Sequence, residues 1–484
     1  MEQKRASWSG QLAFVLAAAA SAIGLGNLWR FPYLAAQYGG GTFILVYLCL
    51  VVTLGFTLML TEIAIGRKTA QSPLTAYSKL HRGWGFLGLL GTIIPLLIVP
   101  YYCVIGGWVL KYFVTYVQMA LGGAVPAQLA GDAAQAGDFF TAFTSAPFAP
   151  FAYGTIFVMA CAVVIVLGVK NGIEKSNLVM MPLLFLLAIA ISIYVIFLPG
   201  AGDGLKYYLI PSMDSLSVTT ADGKTVFSIA QLGKTILGAM GQMFYSLSLA
   251  MGIMITYGSY MRKEDAIEKC VRRIEIFDTL IAVIAGLMII PVVYLFAVKT
   301  NTPIKTAMGA GPGLMFVTLP KVFATLGKVG PWLGVTFFGL VIFAALTSAI
   351  SLYEACVASV CDLLHLDRKA ATFFTGSVIC FLATFSALGS GVWGDVKVFG
   401  QQFLDFFDFI TNSVLMPIVA ALTCVFVGWV MKPKMIEDEV EANGHVFKAK
   451  VLYRFMVKYF APILVTAILI SEVFRYFKLF GWQI

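Results

Sequence analysis

The sequence is poor in charge: only 12% of its 484 residues are Asp, Glu, Lys or Arg, while 60% are hydrophobic. With a mean hydropathy of +0.89, that composition belongs to a polytopic membrane protein. Histidine is scarce too. His81, His365 and His445 all lie in polar connections, so they gather no metal or catalytic cluster. The eight cysteines, Cys49, Cys103, Cys161, Cys270, Cys356, Cys361, Cys380 and Cys424, fall almost wholly within apolar segments, and no Cys-x-x-Cys occurs. Packing is their default role, rather than metal or redox chemistry. A membrane-embedded enzyme would need a nucleophile or metal cluster at depth, and no such set is visible. The net charge of +9 resides in short loops between apolar runs. It implies no nucleic-acid partner; membrane lipid is the expected surroundings.

Long apolar runs are what the chain has in quantity. Runs of about 20 residues, enough to span a bilayer, number eleven. They lie at 11–36, 42–66, 86–120, 152–169, 177–198, 229–259, 274–298, 332–361, 371–389, 401–431 and 455–477. The first is too long for a signal-peptide core and lacks a small-residue cleavage pattern, so it stays a spanning helix. Lys4 and Arg5, Arg67, Lys68 and Arg82, Lys170 and Lys175, Arg262, Lys263, Arg272 and Arg273, Arg368 and Lys369, and Lys432 all fall on one side. The connection at 121–150 on the other side has no Lys or Arg. Positive loops face the cytoplasm. The expected N-terminus is therefore cytoplasmic, in a multi-pass cell membrane protein, and eleven spans leave the C-terminus outside.

The first run is interrupted. Ser-Ala-Ile-Gly-Leu-Gly-Asn-Leu-Trp-Arg-Phe-Pro, residues 21–32, puts Gly24, Gly26, Asn27 and Arg30 at membrane depth. Each glycine weakens a helix by about 1 kcal/mol, and an arginine there costs at least about 2.5 kcal/mol. Glycines alone would serve close helix packing, but packing does not require Asn27 or Arg30. Opened backbone inside a membrane survives only where it is buried in protein or lines a wet cavity. The segment therefore reads as a broken helix around a site, with carbonyls for a cation and N–H groups for an anion. The sixth run repeats the pattern, with Ser246 and Ser248 mid-membrane between Gly241 and Gly252. Paired irregular spans at corresponding places point to a transporter site.

Ile-Gly-Leu-Gly-Asn-Leu-Trp-Arg-Phe-Pro-Tyr, followed by Gly39–Gly41, closely resembles the first membrane helix of the neurotransmitter:sodium symporters, in the manner of bacterial amino-acid members with a LeuT-like fold. Further matches run from Arg5 to Asp408. The resemblance implies an all-α polytopic fold of eleven transmembrane helices: a 5+5 inverted repeat with helices 1 and 6 unwound at mid-membrane, plus one peripheral helix. It implies a cytoplasmic N-terminal segment (1–10), a first five-helix repeat (11–198), a second (199–431), and a cytoplasmic loop with the eleventh helix (432–484). Members often have twelve helices, so this chain is expected to lack the last. Identity between the two halves is not visible in the sequence.

The same resemblance implies the site. A substrate carboxylate would meet the N–H groups of Leu25 and Gly26 and the Tyr102 hydroxyl. Its amine would meet carbonyls of Ala22, Tyr245, Ser246 and Ser248. Gly24 stands where monoamine carriers of the family have an aspartate, which leaves room for a true amino acid. The side-chain pocket would comprise Ile98, Tyr102, Tyr245, Ser248, Met251, Ser348 and Leu352. It is uncharged, and Met251 adapts its shape, so a neutral aromatic or branched aliphatic amino acid is expected. One sodium would take the Ala22 carbonyl, Asn27, Ser246, Asp278 and the substrate carboxylate. A second would take carbonyls of Ala20, Ile23 and Ala344 with the hydroxyls of Thr347 and Ser348. Sodium is a hard cation that wants oxygens, as calcium does, and a shared ligand couples the two bindings. The alternative for Thr347 and Ser348 is a bond back to their own helix.

Asp278 departs from chloride-dependent relatives, which have an asparagine there and a serine where this chain has Ala282. Its carboxylate is expected to balance the excess positive charge, so that no chloride is needed. The alternative is an acidic group favoured by a helix start and by Arg272 and Arg273. Arg30 and Asp408, with Gln242 steadying the arginine, would gate the outer side. Arg5 and Asp362, with Trp8, Ser259 and Tyr260, would gate the inner side, although boundary charges are often merely solvated. Gly172 and Pro182 match a Gly-x9-Pro feature thought to admit water to the second sodium. The competing readings are a proton-coupled or exchange-type carrier of the same fold, with Asp278 as a proton site, and a non-transporting sensor.

Overall fold

Two helices are broken at mid-length, and the other long helices pack around them. The protein is described by a computed structural model covering residues 6–123, 126, 129, 135–219, 225–309 and 311–476. Helix α1 (Gln11–Ala22) and helix α2 (Gly26–Gln37) form one bent pair, with a 54° angle between them. The first turn of α2, Gly26–Arg30, is π-helical. Then follow α3 (Gly41–Thr69), α4 (Arg82–Ala120), α5 (Ala149–Val166) and α6 (Val169–Ile196). The second broken pair is α7 (Ile229–Ser246) and α8 (Ile253–Ser259). After it come α9 (Ile267–Lys299), α10 (Gly327–Leu364), α11 (Arg368–Leu388), α12 (Phe403–Val430) and α13 (Lys450–Phe474).

The fold is all-α and polytopic, as expected, with differences in detail. Among the described residues, nine helices are long and apolar enough to cross a membrane, and ten if the bent pair counts once. The sixth expected span, 229–259, is α7 and α8, kept apart by the non-helical residues 247–252. Its serines and glycines at the break divide the apolar run. One small antiparallel hairpin, Ser217–Thr219 against Thr225–Phe227, also falls outside an all-helical reading. It lies in a polar connection, where the sequence has no helical period to read. The expected 1–10 segment is described only from residue 6, and the tail past 476 lies outside the described residues.

Burial separates scaffold from core. Apolar windows of α3, α4, α9 and α10 are 67–78% buried inside the protein, whereas those of α5, α6, α11 and α13 are 28–39% buried. The first group surrounds the broken helices, and the second carries more of the exposed apolar surface. Helix α1 is buried on most sides, Ala17 through Ala20 completely, so it carries apolar residues all round rather than in a stripe. Helix α8 lies directly on α3. A Cβ at Gly258 would sit 2.5 Å from the Ile63 carbonyl oxygen, so the two backbones touch as small-residue contacts in membranes allow.

Gly258→Val forces this interface apart. Overpacking of a close contact costs about 1–3 kcal/mol, so the variant is expected to lower the melting midpoint of detergent-purified protein by several degrees. An unchanged midpoint would mean that the α3–α8 contact is loose.

Candidate functional site

The two breaks face each other. At the first, Ile23 leaves the helix with extended backbone (φ −76°, ψ 99°), and the Asn27 Oδ1 accepts the Gly24 N–H at 3.1 Å. At the second, Ser248, Ala250 and Gly252 all take positive φ, at 52°, 58° and 72°. For serine and alanine that geometry costs about 1–2 kcal/mol each, so it needs outside support. Glu62, buried on α3, supplies part of it by accepting the Ala250 N–H at 2.7 Å. The Ser21 carbonyl supplies more, accepting the hydroxyls of Ser248 and Ser348, each at 3.0 Å. One carbonyl at the first break thus joins the second break and α10.

Asp278 of α9 ties the breaks together. It is fully buried. Its Oδ1 accepts from Asn27 Nδ2 at 2.8 Å and from Ser246 Oγ at 2.9 Å. Its Oδ2 lies 3.0 Å from the same serine hydroxyl and accepts from Tyr47 OH at 3.1 Å. Asn27 Nδ2 also reaches Ser246 Oγ at 3.0 Å. A buried carboxylate needs such donors or a cation. The structure therefore brings Asn27, Ser246 and Asp278 together as the sequence reading grouped them, with Ala22 beside them at the end of α1. Tyr47 was missed, although a polar hydroxyl inside the second apolar run was a visible signal.

Beside this cluster lies a cavity of about 330 Å³ between atoms, counting space open to solvent. It is lined by Ala22, Gly24, Gly26, Asn27, Ile98, Tyr102, Tyr245, Ser248, Met251, Ser348 and Leu352, all named from sequence, and by Ser21 and Ile253, which were not. No lining residue is charged. The Leu25 N–H donates to the Tyr102 hydroxyl at 3.2 Å, so these two expected carboxylate contacts also contact each other. A Cβ on Gly24 would stand 2.6 Å from Ser348 Oγ and 2.9 Å from Tyr102 OH. The cavity wall is closed to any side chain there.

Of the residues expected to hold a second cation, Ser348 meets the first break and Thr347 bonds within its own helix. Ser348 Oγ lies 3.0 Å from the Ser21 carbonyl oxygen and 3.3 Å from that of Ile23. Thr347 Oγ1 donates to its own helix, to Phe343 at 3.0 Å and Ala344 at 3.1 Å. That is the back-bonded alternative, yet a donating hydroxyl keeps its lone pairs for a cation. Ala20 and Ala344 are fully buried.

The expected gates are partly redrawn. Arg30 makes no ion pair within 4.0 Å among the described residues; its guanidinium lies 5.8 Å from the Tyr245 ring centroid, in an outer cavity of about 350 Å³ with Asn412 and Glu472. Asp408 is held instead by Tyr101 at 3.1 Å and Asn412 at 2.6 Å. Gln242 does not steady Arg30. Its Nε2 donates to the Gly26 carbonyl at 3.0 Å, which also accepts the Phe31 N–H of the π-helical turn. On the inner side, Arg5 lies outside the described residues. Asp362 accepts the Ser72 N–H at 2.7 Å. Trp8 is buried, its backbone N–H on the Tyr260 carbonyl at 3.1 Å and its indole N–H on the Tyr257 carbonyl at 3.0 Å. Tyr260 OH and Arg368 both reach Glu354, a pairing the sequence reading missed. The Ser259 hydroxyl donates to the Thr256 carbonyl at 2.6 Å. Gly172 sits in a π-helical turn, Val169–Glu174, and Pro182 lies inside helical α6.

Comparison with known proteins agrees on the family. The profile of the sodium:neurotransmitter symporter family matches residues 5–126 and 152–482. An uncharacterized sodium-dependent transporter of Haemophilus influenzae is 31% identical over 482 residues, 98% of this chain and 99% of that one. The sodium-dependent transporter YhdH of Bacillus subtilis is 32% identical over 97% of this chain and 98% of its own. The crystal structure of MhsT in complex with L-phenylalanine matches with a TM-score of 0.82 and 34% identity, covering 97% of this chain and 100% of that one.

Two substitutions test the geometry. Gly24→Leu fills the wall against Ser348 and Tyr102 and is expected to abolish small-molecule binding in the cavity while the protein still elutes as a folded species. Tyr47→Phe removes one donor from Asp278, a loss of about 1–3 kcal/mol for a buried acceptor. Sodium affinity, read by titration, is expected to change by roughly tenfold; an unchanged affinity would detach Asp278 from the cation.

Proposed function

The chain belongs to the sodium:neurotransmitter symporter family, and from that premise we propose that this sodium-dependent, multi-pass membrane symporter imports a neutral, hydrophobic amino acid with two sodium ions and without chloride. The observation that carries the proposal is the uncharged cavity beside a buried carboxylate shared by both broken helices. A zwitterion needs an anion-binding end and an amine-binding end. Opened N–H groups at Leu25 and Gly26 with Tyr102 suit the first, and carbonyls of Ala22, Tyr245, Ser246 and Ser248 suit the second. The remaining wall, including Ile98, Met251, Ile253 and Leu352, suits an aromatic or branched aliphatic side chain. A bound L-phenylalanine in the similar MhsT supports that size and polarity.

Asn27, Ser246, Asp278 and the Ala22 carbonyl would hold one sodium against the substrate carboxylate. Ala20, Ile23, Ala344, Thr347 and Ser348 would hold the other. Two cations and a zwitterion leave an excess positive charge in a poorly screened site, and the Asp278 carboxylate reduces it without an external anion. Such a stoichiometry is energetically sufficient. At 100 mV each inward charge supplies about 2.3 kcal/mol, and a tenfold gradient about 1.4 kcal/mol more. Two ions give roughly 7 kcal/mol, an upper bound near five decades of accumulation. The basic loops support a cytoplasmic N-terminus and an outward C-terminus, and the five-helix halves 11–198 and 199–431 would supply the alternating framework.

Competition binding against the twenty amino acids tests the substrate. Leucine, phenylalanine or tryptophan is expected to displace tracer at the lowest concentration; glycine or proline in that place would refute the assignment. Replacing chloride with gluconate in a proteoliposome uptake assay is expected to leave sodium-driven flux intact, and abolished uptake would contradict the role given to Asp278.

A further inference from the structure

The connection between α12 and α13 is stitched down. Its short helix, Lys434–Val440, meets the end of α3 at Arg67, whose side chain has no exposed surface. Arg67 Nε donates to Glu439 Oε1 at 2.8 Å, and a second nitrogen reaches the Glu439 backbone carbonyl. Arg67 Nη1 donates to the Asp265 carbonyl at 2.6 Å. One guanidinium thus joins three segments: α3, the α12–α13 connection, and the connection between α8 and α9. Removing the Glu439 carboxylate leaves the buried Arg67 charge uncompensated, whereas Glu439 also has Lys263 at 3.5 Å and Lys68 at 4.0 Å.

More bonds run along the same seam. Asn443 Nδ2 donates to the Lys263 carbonyl at 2.6 Å, and His445 Nε2 lies 2.9 Å from the Glu264 carbonyl oxygen. Glu268, in the first turn of α9, accepts the N–H groups of Lys448 and Ala449 at 2.8 and 3.1 Å, just where α13 begins. A carboxylate at a helix start satisfies donors that the helix itself cannot. Burial alone pushes the Glu437 carboxyl up, but Arg454 and Lys450 outweigh it and hold the group below the usual carboxylate range.

The seam ends where Trp8 is seated. Its two N–H groups land on Tyr257 in α8 and on Tyr260, the first residue after α8, and α8 is itself fixed to α3 by the Gly258 contact. Among the described residues, the start of α1 is fastened by the Ser9 N–H on Glu174 Oε2 at 3.0 Å and by Gln11 Nε2 on Cys270 Sγ at 3.3 Å. Trp8 therefore closes against a seat that is braced from α3 and from the α12–α13 connection.

We propose that residues 432–449 are a clamp that holds the 260–268 connection fixed, so that the clamp sets how firmly Trp8 is seated and how often the inner side of the protein opens. The proposal uses the transporter reading only for the need of an inner opening. Loosening the clamp shifts the population toward the open inner side, and a ligand that favours the closed form then binds with lower apparent affinity.

The test joins the seam covalently and then weakens it. Lys263→Cys with Asn443→Cys, bridged by a short thiol cross-linker in full-length protein, is expected to keep sodium-driven uptake within about twofold of the reduced protein. Uptake lost on cross-linking and restored by reductant would overturn the proposal, because the seam would then have to open in each cycle. Glu268→Ala with Asn443→Ala removes three seam bonds. Deuterium exchange is expected to rise in 432–449 and also in 8–22, with the half-saturating sodium concentration raised about threefold. Faster exchange in 432–449 with 8–22 unchanged would overturn it equally. Should the weakened protein fail to fold, the cross-linked one still decides. Sodium-dependent substrate binding to the unaltered protein reports separately on the transporter reading.

Discussion

A buried carboxylate that must be satisfied from two sides holds this structure in its working form. Asp278 sits where water does not reach, and its oxygens take donors from Asn27 at the first break, Ser246 at the second, and Tyr47 on α3. Leaving such a charge unpaired is far costlier than the strain of either break. The carboxylate therefore fixes the register of the two broken helices against each other. Glu62 plays the analogous part for the backbone alone, pinning Ala250 in a conformation that alanine does not otherwise keep.

From that constraint the cavity follows. With the breaks aligned, their opened backbone faces one space, closed at one wall by Gly24 and at others by Tyr102, Tyr245 and Ser348. In a sodium-dependent symporter of this family, a ligand that touches the same oxygens as the cation gains affinity from it, and the gain is reciprocal. The two ends are unlike. Arg30 stands beside a cavity with Glu472 and, among the described residues, makes no ion pair within 4.0 Å, while Asp408 rests on Tyr101 and Asn412. At the opposite end Trp8 is buried and bonded.

Much of this was legible in the sequence, for physical reasons that can be named. Glycine, asparagine and arginine inside an apolar run are costly unless they build a site, so the breaks could be placed within residues 21–32 and 241–252, where the structure has them at 23–25 and 247–252. The pocket residues followed from the family motif, and all seven line the observed cavity. Other features were illegible because they depend on which chains meet. Gln242 reads as a partner for Arg30 until the Gly26 carbonyl proves nearer. Tyr47, Glu62 and Glu354 are single polar residues in long apolar runs, and only the packing reveals what each satisfies. The eleven-span count met its limit at 229–259, where composition cannot say how wide a break is. The hairpin at 217–227 lies in a loop with no periodicity to read.

Reciprocity at the shared site is the central claim, and it has a direct measurement. Substrate affinity is titrated at a series of sodium concentrations, and sodium affinity at a series of substrate concentrations, on the same purified protein. The account predicts that each ligand raises the affinity of the other by the same factor, and that potassium in place of sodium does neither. Affinities that are independent of each other, or a response to potassium equal to that to sodium, would contradict it.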